Sequence, residues 1–477
     1  MVDKQVLKEV LGVALANGGD FADIFLENKQ VTGIGMEAGR IERVNSGLDV
    51  GAGIRVLSGE ATAYAYTNDI SKEGLQEAAT IASHAAKGGK KDVNIDLTTI
   101  KPLVDFEFKK RPDEVKTEEK VSVVKAAEKA ARLVDEQKIK QVIAGYGDTV
   151  QKVVIANSNG TYVEDERIRT RMIVNAVAAD GEIIQTGYDA VGSLCGFELF
   201  ERVDPEEMAR QAAARAVKML SAKPAPAGKM PVVMAGEAGG TMVHEACGHG
   251  LEADLTQRGL SVYGNKKGQQ VASELVTVVD DATLADKYGS YRFDDEGVPS
   301  RKVTMIENGM LTDYLYDYLT ATKEGREPNG HGRRESYQHK PLPRMGNTVI
   351  APGKMEPEKI IRETKSGLLV KKMGGGQVNT TTGDFVFDVA EGYLIKDGEM
   401  GSMVRGATLT GNGPEVLRIV DMVGSDLGFT IGTCGKDGQG APVSDAQPTM
   451  HIPEIVVGGT AHGYDEQNPS IKRIRRI

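Results

Sequence analysis

The stretch "SAKPAPAGKMP", residues 221–231, decides how the chain divides. It is rich in Pro, Ala and Gly and has no apolar periodicity, so it reads as a linker between two folded units. A chain of 477 residues also exceeds one ordinary core of about 100 to 200 residues. The expected organisation is an amino-terminal α/β domain over 1–221, a linker over 222–230 and a carboxy-terminal domain over 231–477. The fold class is α+β, with the second domain mostly β-sheet.

Left of the linker, apolar residues at Val6, Leu7, Val10, Leu11 and Leu15 have helical spacing, and 71–87 repeats the pattern with Ser71 as a cap. Between them, Gly-rich alternating sequence predicts strands and hairpins. A third helix is expected from about 117 to 136, with Glu118 and Glu119 in its first turn, and a fourth at about 205–220 behind Asp204 and Pro205. Asn159-Gly160 and Asp180-Gly181 read as hairpin turns. Right of the linker, short alternating runs are punctuated by Asn308-Gly309, Asp397-Gly398 and Asp437-Gly438, the signature of sheet. The Gly cluster "MGGGQV", 373–378, lacks the Lys-Ser or Lys-Thr of a phosphate loop and reads as a turn or a close backbone approach.

A formal charge of -10 argues against a nucleic-acid partner, and the basic ending "IKRIRRI" reads as a solvated tail. Charged residues interrupt the amino-terminal apolar run, and no stretch reaches the roughly 18 apolar residues of a membrane span. A cytoplasmic protein with no membrane partner is expected. The three cysteines, Cys195, Cys247 and Cys434, cannot all pair with one another. In a reducing compartment a conspicuous cysteine is a metal ligand or a catalytic group more often than half of a disulfide.

"GGTMVHEACGHGLEAD", 239–254, gathers two of only seven histidines around Glu245 and Cys247. A metal-binding helix normally spaces its histidines four residues apart, about 40° around one face. His244 and His249 are five apart, and on a regular helix they would diverge by about 140°. A local widening with an i to i+5 hydrogen bond would bring them back together, and Gly248 and Gly250 would make it cheap by relaxing the backbone. Glu245 would then stand beside a metal ligand, placed to accept a proton from a metal-bound water.

Two histidines leave a zinc site short of a ligand. The candidates are Cys247, Glu252, Cys434, His331 and His339. Three ligands from six consecutive residues would strain the geometry, so Cys247 reads as packing. Cys434, in "GFTIGTCGKDGQG" (428–440), is either a loop thiolate or a buried strand cysteine.

Taken together, "MVHEACGHGLEAD" (242–254), "YRFDDEGVPS" (291–300), "GRRESYQHKPLPRMGNT" (332–348) and "GTCGKDGQ" (432–439) resemble the TldD members of the TldD/PmbA family, and "VNSGLDVGAGIRVL" (44–57) resembles its first-domain strands. The resemblance implies a zinc metallopeptidase domain in the carboxy-terminal half, with one Zn2+ per chain. His244, His249 and Cys434 would be its ligands, and Glu245 the general base on a zinc-bound water. It further implies unfolded or flexible peptides as substrates, held as an added β-strand, and a dimer with a TldE/PmbA-like subunit or with itself. Two other functions remain open at this point: a non-catalytic regulator of the gyrase-modulator type, and a zinc hydrolase acting on another amide. His331, Arg333, Arg334, Tyr337 and His339 are candidates for oxyanion stabilisation or for surface and interdomain contacts.

Overall fold

The computed structural model of the chain describes residues 2–84, 86 and 95–460. The basic tail and the last residues of the 71–87 stretch lie outside the described residues. The first helix, Lys4–Ala14, is capped by Asp3, whose carboxylate accepts from the Gln5 N–H. It stops short of Asn17, where Gly18 takes a φ of 93°. The helix Lys72–Ser83 is capped by Ser71, and Pro205–Leu220 by Asp204. Thr117–Arg132 starts behind Lys116 with no side-chain cap, and its acidic first turn offsets the helix dipole instead.

A seven-stranded sheet spans the amino-terminal half, in the order Ala61–Thr67, Arg40–Ser58, Phe21–Glu37, Ile139–Asn157, Thr161–Asp180. Ile183–Ser193 and the two-residue strand Thr98–Thr99 both pair with the last of these. Side chains alternate across it. Even-numbered residues of the central strands face the helices: Ile24, Leu26, Ile54 and Val56 pack under Lys4–Ala14 and Lys72–Ser83, and Ile34, Met36, Ala144 and Val174 under the other two. Odd-numbered residues face the carboxy-terminal half of the chain, where Phe25, Val153, Ile155 and Val163 share a core with Phe293 and Tyr337.

This odd face also carries several buried ion pairs. Arg55 reaches both Asp23 and, at 2.7 Å, Glu296. Arg167 pairs with Asp165 at 3.1 Å and with Asp295. The Asp295 carboxylate also accepts the Arg334 N–H at 2.7 Å. "YRFDDEGVPS" and "GRRESYQ" therefore supply the carboxy-terminal half's side of a seam with the first sheet.

Strand dominates the second half. Gly228–Met234 lies between Ser366–Val378 and Met450–Gly458; the latter pairs with Thr408–Asn412, which pairs with Asp384–Lys396. Asp384–Lys396 returns to Ser366–Val378, so these five strands close on themselves. A second sheet runs Met310–Leu311, Lys302–Glu307, Val278–Asp281, Asn347–Ile350, Gln439–Gln447, Gly428–Lys436, which leaves the last strand as an edge. Asn308-Gly309, Asp397-Gly398 and Asp437-Gly438 each have two positive φ values, as two-residue hairpin turns of this type need. The stretch 221–231 is itself tied into the structure: Lys223–Pro224 pairs with Val404–Arg405, and Gly228 begins a strand of the closed ring. Among the described residues no helix is long and apolar enough to cross a membrane.

Candidate metal centre

After one α-turn at Thr241–Val243 the backbone widens into a π-turn over His244–Gly248, and the His249 N–H donates to the His244 carbonyl five residues back. The extra residue in each turn puts both imidazoles on one side, with ring centroids 4.9 Å apart and planes at 89°. Gly248 contributes differently from the backbone freedom expected of it. Its φ of -53° is ordinary for a helix, but a Cβ there would run into Met345 Sδ. The absence of a side chain lets the widened turn sink onto the fully buried Met345. Tyr263 Oη donates to the Ala246 carbonyl at 3.2 Å, securing the turn from the other side.

Cys434 sits on the edge strand Gly428–Lys436, with its sulfur 3.5 Å from His249 Nε2. One ligand atom from each of His244, His249 and Cys434 can be chosen so that all lie within 4.8 Å of one another. Bonds near 2.1 Å to nitrogen and 2.3 Å to sulfur at a tetrahedral angle place N and S about 3.6 Å apart, so the observed separation would suit an edge of a zinc site. Each Nδ1 is already held by a carboxylate: His244 by Asp445 at 2.8 Å and His249 by Glu252 at 3.1 Å. An ionised carboxylate only accepts, so both Nδ1 atoms carry hydrogen and Nε2 is left for a metal.

The electrostatics agree with this assignment. Burial opposes the Cys434 thiolate, but hydrogen bonds from His244 and His249 outweigh it and pull the thiol down to about 5. Burial likewise opposes a charged His249, yet Glu252 and Cys434 raise it to about 9. His244 is raised by Asp445 and Cys434 against the same penalty. In the polypeptide by itself, protons on the imidazoles thus supply the positive charge that a divalent ion would bring. Burial also opposes Glu252, but Lys436 at 3.1 Å and His249 hold its carboxyl at about 2. Glu245 is raised, chiefly by burial and against the pull of His244 and His249. Cys247 faces the core, its sulfur 3.3 Å from the Val243 carbonyl, and burial pushes its thiol up to about 12.

A cavity of about 1040 Å³ opens over the trio and Glu245. Its walls come from Met373–Val378, the edge strand Thr430–Lys436 and, from the first domain, Gln185–Ala190. None of His331, Arg333, Arg334, Tyr337 or His339 lines it. His331 is enclosed between Asp280 at 3.0 Å and the Asn329 carbonyl at 3.1 Å, and His339 meets Ser336 Oγ at 3.0 Å. Tyr337 donates its N–H to Glu27 in the first domain, and Arg334 lies in the ionic seam. Asp445 and Lys436 were not singled out in the sequence. Asp445 stands alone in a strand with no spacing to announce it, whereas Glu252 is three residues beyond His249 and on its side of the turn.

The chain matches three family profiles in succession: PmbA/TldA metallopeptidase domain 1 over 22–86, the central domain over 110–220 and the C-terminal domain over 227–459. It is 35% identical over 465 residues to a "Metalloprotease TldD homolog" of Haemophilus influenzae, covering 96% of each chain. It is 27% identical to a "Zinc metalloprotease TldD homolog" of Saccharolobus solfataricus, over 93% of this chain and 97% of that one. Among solved structures, TldE from Thermococcus kodakarensis superposes with a TM-score of 0.75 at 20% identity, covering 95% of this chain and 100% of the other. A putative modulator of DNA gyrase from Thermotoga maritima gives 0.79 at 24% identity, over 95% and 100%.

Proposed function

The chain belongs to the PmbA/TldD metallopeptidase family, and from that premise we propose that it is a zinc-dependent peptidase that cleaves flexible or unfolded peptides, with Glu245 as general base. One observation carries the reading: a thiolate and two imidazoles, each imidazole backed by a carboxylate, converge beside a half-buried glutamate at the floor of a cavity. His244, His249 and Cys434 would hold one zinc ion per chain. The ion supplies Lewis acidity for the scissile carbonyl and acidifies water. Asp445 and Glu252 orient the two imidazoles and keep their Nε2 atoms turned inward. Glu245, whose proton affinity burial has raised, takes the proton of the attacking water and returns it to the departing amine.

The peptide preference rests on the cavity wall. Among the described residues Gly428–Lys436 pairs with a strand on one side only, and its other edge borders the cavity beside Cys434. A peptide added there as a strand would be read through its backbone, which gives weak sequence preference. A folded domain does not expose such a strand, so unfolded segments are the expected substrates. The working unit is a dimer, with a TldE-like subunit or a second copy, in the cytoplasm. A purely regulatory role leaves the thiolate, the paired carboxylates and Glu245 without a task.

The test measures zinc content and peptide hydrolysis together, for the protein alone and with a TldE-like partner. Glu245→Gln should keep its zinc and lose at least about a hundredfold in kcat, the weight of a general base. Undiminished cleavage by Glu245→Gln would sink the assignment.

A further inference from the structure

A second cavity, of about 420 Å³, lies in the interdomain seam on the other side of the edge strand that carries Cys434. Thr433 lines both cavities, while Cys434 lines only the first. The seam is hollow there because side chains are missing from the sheet. Gly33 pairs with Gly147 and Gly35 with Gly145, all four on the odd face towards the second domain. A Cβ on Gly33 would meet nothing within 4 Å.

Six arginines line this hollow, with Asp294, Asp295 and Glu335 among them, and three of the six matter here. Arg169 is 7% exposed and Arg333 5%, while Arg171 is exposed at the rim, beside Gly147. Arg167 has Asp165 and Asp295, and Arg334 approaches Asp23 at 3.7 Å. Among the described residues no carboxylate lies within ion-pair distance of Arg169, Arg171 or Arg333; Asp295, already held by Arg167, attracts Arg169 and Arg333 only from further off. Arg169 donates Nε to the Tyr288 carbonyl at 2.8 Å and Nη2 to the Ser290 carbonyl at 2.7 Å, which leaves Nη1 with no acceptor. Arg333 spends Nη1 and Nη2 on the Met345 and Pro442 carbonyls and stacks 5.0 Å from the Tyr291 ring, which leaves Nε. Carbonyl dipoles position these cations without neutralising them. Burial, and after it the mutual repulsion of Arg333, Arg167 and Arg169, pulls Arg169 down to about 9. A buried guanidinium with no carboxylate in direct contact is expensive, and an arginine cannot escape that cost by losing its proton at neutral pH.

We propose that this hollow is a binding site for a small oxyanion, a phosphate or a dicarboxylate, held by Arg169 and Arg333 from the two domains with Arg171 at the mouth. Planar guanidinium groups are suited to such ligands because they donate in pairs. The site is separate from the metal centre and independent of what the centre cleaves. An anion bound there lies one residue along the strand from a metal ligand and ties the two domains together.

The experiment uses the full chain and two probes, inorganic phosphate and succinate, with chloride at matched ionic strength as control. Calorimetric titration should show saturable binding of at least one probe at one site per chain; stronger binding of phosphate or of succinate assigns the source of the oxyanion. Arg169→Met should weaken binding about tenfold, the usual cost of one charge-assisted hydrogen bond. Arg171→Gln alters only an exposed rim residue, so it folds whether or not Arg169→Met does, and it should weaken binding several-fold. Absence of saturable binding by either probe would overturn the proposal. So would binding in Arg171→Gln as tight as in the unaltered protein.

Discussion

At the scale of single residues, protons and metal compete for the same nitrogens. The His249 imidazole holds its proton up to about 9, so a metal must displace it at any lower pH. The raised value means that the protonated form is the favoured one below pH 9, and metal uptake should weaken steadily as pH falls from 9 to 6. Competition titrations at several pH values check this, and Asp445→Asn should cost about ten- to a hundredfold in zinc affinity at neutral pH. The residues of the candidate site were unequally legible in the sequence. His244, Glu245 and His249 announce themselves because six neighbouring residues carry the whole pattern. Cys434 could be reached only through the family resemblance, since nothing local distinguishes a ligand thiol from a buried strand cysteine. Asp445 was invisible because its role arises from a strand meeting a helix turn 201 residues away in sequence.

At the scale of elements, the π-turn is the part of the site most exposed to small changes. Gly248→Ala drives a methyl group into Met345 Sδ, and Met345 has no room to withdraw because it is fully buried. Overpacking of this kind costs about 1 to 3 kcal/mol. Chemical denaturation should show that loss, and zinc binding should weaken with it as the turn relaxes and His249 moves away from Cys434. The five-residue spacing did foretell a widened turn, because only an i to i+5 bond reunites the two imidazoles. The cause of the glycine was not foreseeable, since Met345 lies in another segment. A helix with a strong cap and periodicity, such as Pro205–Leu220, was readable at about its observed bounds. The first hairpin was expected as part of a Gly-rich strand and hairpin region, but its turn, Ala38-Gly39, was not placed, since an alanine at φ 48° carries no turn signal of its own.

At the scale of the whole molecule, composition could suggest two unlike halves but not how they meet. The odd face of the first sheet alternates charged and apolar residues, a pattern that ordinarily marks a solvent-facing surface, and here it is buried against Asp295, Glu296 and Arg334. That burial depends on partner charges more than 100 residues away, so only the folded chain reveals it. The spacing of the proposed metal ligands has a further consequence. His249 and Cys434 are 185 residues apart, and most of the closed strand ring is threaded between them. An ion bridging the two would act as a removable cross-link around that whole loop, as a disulfide does in secreted proteins. Chain-entropy arithmetic for a loop of this length gives on the order of 5 kcal/mol, lost when the link is opened. Stripping the metal with a chelator should therefore lower the thermal midpoint of the protein as well as end catalysis. The same ion would be both a reagent and a staple.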